Sequence, residues 1–153
     1  MTPTEEMPAL RERAIKALAR RDLTARELVA RLERYAGGEV CQEVVAALAA
    51  QGLQSDVRAA EARARQALAR GVARARAKAD LEAAGVAAGV AAVTVEEVYA
   101  GTDEREALAR EASRLPAGAT ARERARWVRR MVSKGHDPEA IQALLGTGAE
   151  GPD

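Results

Sequence analysis

A hydrolytic or group-transfer site of the Ser/His/Asp or Cys/His kind would have to use His136, because the 153-residue chain contains a single histidine. His136 follows Gly135 at a predicted helix junction, the setting of a turn residue more than of a general base. Cys41 is the only cysteine, which excludes an internal disulfide and a multi-cysteine zinc site. It lies one position past the apolar Val40 on a predicted helix and reads as a packed side chain. Residues 146–151 fit GxGxxG literally, yet no strand precedes them and the chain stops at Asp153, so the strand-turn-helix context that cradles a phosphate is missing. That stretch is expected to be a disordered tail. These residues predict no catalytic group, no metal site and no cofactor.

Arginine is the chemistry that remains. The chain holds 21 arginines against three lysines, and a planar guanidinium makes forked contacts to phosphate or carboxylate oxygens. Net charge is only +1, but the charge is segregated. Arg58, Arg63, Arg65, Arg70, Arg74, Arg76 and Lys78 stand against Glu61 alone, and Arg122, Arg124, Arg126, Arg129, Arg130 and Lys134 against Glu123. A smaller basic block runs from Arg11 to Arg21, and acids dominate from Asp80 to Glu106. One face can therefore be far more positive than the sum implies. The candidate contacts to DNA phosphates or to an acidic protein surface are Arg63, Arg65, Arg70, Arg74, Arg76 and Lys78, with Arg126, Arg129 and Arg130 as a second set. Aromatic platforms for single strands are scarce, since only Tyr35, Tyr99 and Trp127 occur.

The elements that carry these side chains are helical. Hydrophobic residues form 48% of the chain, but 38 of them are alanine, phenylalanine is absent and aromatics reach 2%. Alanine favours helix and offers little area to bury, so close-packed helices fit and an all-β domain does not. Thr24/Glu27, Thr94/Glu97 and Thr120/Glu123 have capping-box spacing, with staples predicted for Leu23/Leu28 and Val93/Val98; Asp137-Pro138 is a further start. Together with apolar spacing these signals predict helices near 8–20, 25–35, 39–51, 56–70, 73–84, 95–100, 103–114, 121–134 and 138–145. Val57, Ala60, Ala64 and Leu68 form one expected inward stripe, and Ala125, Val128 and Val132, joined by Trp127 and Met131, another. The longest run of small and apolar residues, Ala83 to Val95, is 13 residues, short of the roughly 20 that span a bilayer. Acidic Glu5 and Glu6 stand where a secretory signal is basic, so a cytoplasmic protein is expected.

Nine helices group as three threes. Val44 and Leu48 lie 6 and 10 positions beyond Gly38, as do Val95 and Tyr99 beyond Gly89, and Ile141 and Leu145 beyond Gly135. In this register the duplicated AAGV of Ala83 to Val90 reads as a four-residue insertion. The expected organisation is an all-α, elongated array: a disordered segment 1–7, helical repeats 8–54, 55–101 and 102–145, and a disordered tail 146–153.

The segment AIKALARRDLTARELVARL, Ala14 to Leu32, resembles the opening repeat of the RecX family, bacterial regulators of the RecA recombinase. GLQSDVRAAE, Gly52 to Glu61, is similar to that family's signature at the start of its second repeat, and ARWVRRM, Ala125 to Met131, to its third. Ala59 departs from the aromatic usual at its position. The resemblance implies a non-enzymatic modulator that lies along the groove of the RecA filament on DNA, acting in homologous recombination, DNA repair and the SOS response. It would limit filament growth and reduce ATP hydrolysis and strand exchange. The implied partners are RecA, its DNA filament and DNA itself, bound by a monomer without a membrane. A plain helix-turn-helix DNA-binding module is the alternative from the residues alone.

Overall fold

Small side chains leave a thin core, and the molecule answers by dividing it. The computed structural model describes residues 3–149, and among these it has nine helices and no strand. They are α1 (Pro3–Arg20), α2 (Ala25–Leu32), α3 (Gly38–Ala50), α4 (Asp56–Ala69), α5 (Arg74–Ala83), α6 (Ala88–Val98), α7 (Glu104–Ser113), α8 (Ala121–Ser133) and α9 (Pro138–Ala149). The closest packing lies within α1–α3, α4–α6 and α7–α9, each group closing around its own apolar cluster. Leu28, Leu32 and Leu48 anchor the first, Leu81 and Tyr99 the second, and Trp127, Met131 and Ile141 the third. Alanines 59, 60 and 64 are fully buried on α4, and Ala60 sits in the second core, where a side chain this small lets α6 approach closely. The surface of 9775 Å² exceeds the roughly 7,400 Å² of a compact 16.2 kDa globule, as expected of an extended body.

Local signals account for most boundaries. Thr24 caps α2 in a complete capping box with Glu27, and Leu23 and Leu28 are both buried beside it. Thr120 Oγ1 accepts from the Glu123 N–H, and Asp137 Oδ1 accepts from the Glu139 N–H. Thr94 differs: it is buried inside α6, which begins at Ala88, and Val93 is exposed. The first AAGV copy supplies the end of α5 and the turn through Gly85 and Val86; the second opens α6. It is therefore helix and turn, not an insertion.

The third helices correspond through their caps, Gly37, Ala87 and Asp137. Cys41, Ala91 and Ile141 then fall at one shared buried position, followed by the pairs Val44/Val45, Thr94/Val95 and Leu144/Leu145. The glycine register drops out because Gly38 opens a helix and Gly89 lies inside one, whereas Gly135 closes α8 at φ +86 and pairs with Gly85 at φ +103.

The ends and two helix faces also depart from expectation. α1 starts at Pro3, with Glu5 and Glu6 in its first turn, where they complement the helix dipole, and Met7 against the first core. Residues 146–149 form the last turn of α9, so the GxGxxG match begins on a helix. Residues 1–2 and 150–153 of the expected disordered ends lie outside the described residues. Val57 (49% exposed), Val132 (45%) and Ala125 point outward; Trp127 and Met131 set the inward face of α8, and on α4 Ala59, outside the predicted stripe, is buried as well.

The three groups are joined by hydrogen bonds to backbone carbonyls at the ends of their middle helices. Thr24 Oγ1, at the start of α2, donates to the carbonyl of Ala84, the C-cap of α5, at 2.6 Å. The Ala73 N–H, at the start of α5, donates to the carbonyl of Lys134, the C-cap of α8, at 2.9 Å. Each positive helix end thus meets a negative one. Arg26 packs over Gly85 and Arg76 over Gly135, in space a Cβ would fill. Gly101 has φ +80 with nothing near its α-carbon. Gly101→Ala should therefore cost only the left-handed backbone term, about 1–2 kcal/mol, and Gly135→Ala clearly more, as urea unfolding will measure. Equal losses would contradict the joint.

Candidate functional site

Arginines in this chain fall into those bound within the molecule and those left free. Arg63, on α4, grips Glu27 of α2 with two bonds, 2.9 and 2.5 Å, and its side chain keeps 21% exposure. Burial of Glu27 would raise its pKa, but hydrogen bonds from Arg63 and from the Thr24 N–H outweigh this and hold it below the ordinary 4.5. Around the same joint, Gln54 Nε2 donates to the Leu23 carbonyl at 3.2 Å, and Asp56 Oδ1 accepts from the Ala25 N–H at 2.8 Å. Arg26 Nη2 donates to the Ala83 carbonyl. Arg74 is bound likewise: Nη2 donates to the carbonyls of Tyr99 and Thr102, both at 2.9 Å, and its own N–H donates to Glu104 at 2.7 Å.

Three further candidates make weak local pairs. Arg65 faces Glu61 at 3.7 Å, Arg76 faces Asp80 at 3.0 Å, and Lys78 faces Glu82 at 3.9 Å, each one helical turn away and open to solvent. Such pairs contribute about 0.3–0.5 kcal/mol and can be exchanged for a partner. Arg70, Arg126, Arg129 and Arg130 are exposed and have no acid within ion-pair distance among the described residues.

The free cations on α8 form a row. Trp127 and Met131 turn inward to the third core, which sends Arg122, Arg126, Arg129 and Arg130 to the opposite arc of the helix. Arg122 belongs to this row although the candidate set omits it; its spacing of four from Arg126 was the available signal. The structure therefore brings Arg126, Arg129 and Arg130 together, and spends Arg63 and Arg74 on joints.

His136 is also structural. It is 7% exposed, and its Nε2 lies 2.7 Å from the Gly71 carbonyl, which can only accept, so this nitrogen carries the proton and ties α8–α9 to the α4–α5 turn. Cys41 is buried; desolvation first, then Glu33 and Glu6, push its thiol above the usual range. Tyr99 donates to the Val72 carbonyl at 2.8 Å and is pushed up to about 12, chiefly by burial. Among the described residues no group of three His, Cys, Asp or Glu could hold a metal ion, and no helix is long and apolar enough to cross a membrane.

The fold defines an all-helical protein with several small cores in an extended body. It matches the crystal structure of RecX from Lactobacillus salivarius with a TM-score of 0.71 at 16% identity, over 95% of this chain and 98% of that one; the chain has the RecX fold. No family model matches the sequence, and no curated protein does so significantly.

The joint at Glu27 titrates. A carboxylate held below its unfolded pKa contributes stability that is present above about pH 4.5 and is lost as pH falls through the folded value. Glu27→Gln should be less stable at neutral pH and lose less between about pH 5 and pH 3. Urea midpoints across this range test it, and parallel profiles would refute the role of Glu27.

Proposed function

We propose that the chain is a RecX-type regulator that binds RecA and its filament on DNA and restrains ATP hydrolysis, filament extension and strand exchange. The observation that carries this is the match of fold over nearly the full length of both chains. The resemblance of Ala14–Leu32, Gly52–Glu61 and Ala125–Met131 to the family's repeats supports it from the sequence side. In this reading the three helix groups are tandem repeats, with boundaries at 54/55 and 101/102 that lie in the turns before α4 and α7. The protein is a cytoplasmic monomer that acts by docking.

Contacts to DNA phosphates or to acidic RecA surfaces fall first to the free cations, Arg126, Arg129 and Arg130 with Arg70. Arg65, Arg76 and Lys78 follow by giving up their local pairs. Arg63 and Arg74 contribute by holding the units in line. An extended body with unpaired cations on more than one unit suits a filament better than a single short duplex site, because each unit can meet a successive subunit.

Reversing Arg126, Arg129 and Arg130 to Glu together should raise the concentration needed to inhibit RecA-dependent ATP hydrolysis by at least about tenfold. The helical circular-dichroism signal should persist, since all three side chains are exposed. Unchanged inhibition by the triple variant would overturn the assignment.

A further inference from the structure

α1 and α2 enclose a groove of about 530 Å³ lined by Arg13, Lys16, Arg20, Arg31, Arg34 and Tyr35. Helical spacing builds it: positions 13, 16 and 20 share one face of α1, and Leu28 and Leu32 of α2 floor it while Arg31, Arg34 and Tyr35 rim its end. No acid lines this groove. Lys16 has a solvent-exposed partner in Glu12 at 3.3 Å, but Arg20, Arg31 and Arg34 have no acid within ion-pair distance among the described residues. Like charges gathered without counter-charges repel one another, and nothing in the first core requires them.

Tyr35 adds a second, independent feature. Of the three aromatic residues, Tyr99 and Trp127 are buried at 1% and 2% exposure, whereas Tyr35 keeps 52%. The Arg13 guanidinium lies 3.8 Å from the centroid of its ring. That contact covers one face and steadies the ring by a cation–π interaction. With that contact in place, half of Tyr35 still stays exposed. Gly37 and Gly38 follow, so no side chain at those two positions screens the ring.

A half-exposed aromatic ring among five cations is the chemistry of a strand with unstacked bases: the ring takes a base and the guanidinium groups take the flanking phosphates. A duplex keeps its bases stacked, and an acidic peptide has no use for the ring. We infer that the α1–α2 groove is a binding site for single-stranded DNA, with one base on Tyr35 and phosphates on Arg20, Arg31 and Arg34. The inference rests on the proposed function only in taking the strand of a recombinase filament as the source of the ligand.

The test uses the full chain and bare DNA, with no recombinase present, so its failure is separate from a failure of the filament reading, which the ATP-hydrolysis assay measures. A fluorescein-labelled fifteen-nucleotide oligothymidylate is followed by anisotropy. Tyr35→Ala should weaken binding by about 5- to 100-fold and Tyr35→Phe should leave it nearly unchanged. The double change Arg31→Gln and Arg34→Gln should lower the slope of log affinity against log salt by about 1.4. Circular dichroism confirms folding, which these exposed positions do not threaten. The inference is overturned if Tyr35→Ala binds like the parent, if an abasic oligomer of the same length binds equally well, or if oligoglutamate displaces the strand as readily as unlabelled oligothymidylate does.

Discussion

The structure depends on a hydrogen bond between helix ends. The C-cap carbonyls of α5 and α8 each accept from the N-cap residue of the middle helix in the group before, the Thr24 hydroxyl in one case and the Ala73 N–H in the other. This aligns α8, α5 and α2 with their dipoles head to tail. Gly85 and Gly135 make the approach possible, because both sit at positive φ and an arginine side chain lies where a Cβ would be. An alanine-rich chain cannot build a large shared core, so polar groups at the helix ends set the spacing between three small ones.

Charge follows from the same constraint. Arginines near a joint are consumed by it, as Arg63 is by Glu27 and Arg74 by the carbonyls of Tyr99 and Thr102. Arginines on α8 and around the α1–α2 groove are not. A net charge of +1 conceals this, since it counts a half-buried pair and an exposed row alike. The proposed docking role draws first on the unpaired Arg70 of the second group and Arg126, Arg129 and Arg130 of the third.

Much of this was legible in the sequence. Helical class, most boundaries, the capping box at Thr24 and the packed state of Cys41 follow from local spacing, and local spacing is what a sequence displays directly. The pairing of Arg63 was not legible, because its partner stands 36 positions away. Nor was the role of His136, which lies in a turn as expected but is spent on a carbonyl 65 positions away. The predicted start of α6 falls seven residues late because Thr94/Glu97 imitates a cap while the helix has already begun at Ala88. The inward face of α8 was misjudged at Val132 because the larger Trp127 and Met131 claim the available core. Basic blocks were visible as composition; which arginines are free emerged only with their partners in place.

The central claim is that these rigidly joined units dock along a RecA filament. Co-sedimentation with RecA assembled on single-stranded DNA, beside naked duplex at matched salt, measures this most directly. The account predicts that the protein pellets with the filament and binds the duplex far less. Failure to pellet, or binding to naked duplex as strong as to the filament, would contradict it.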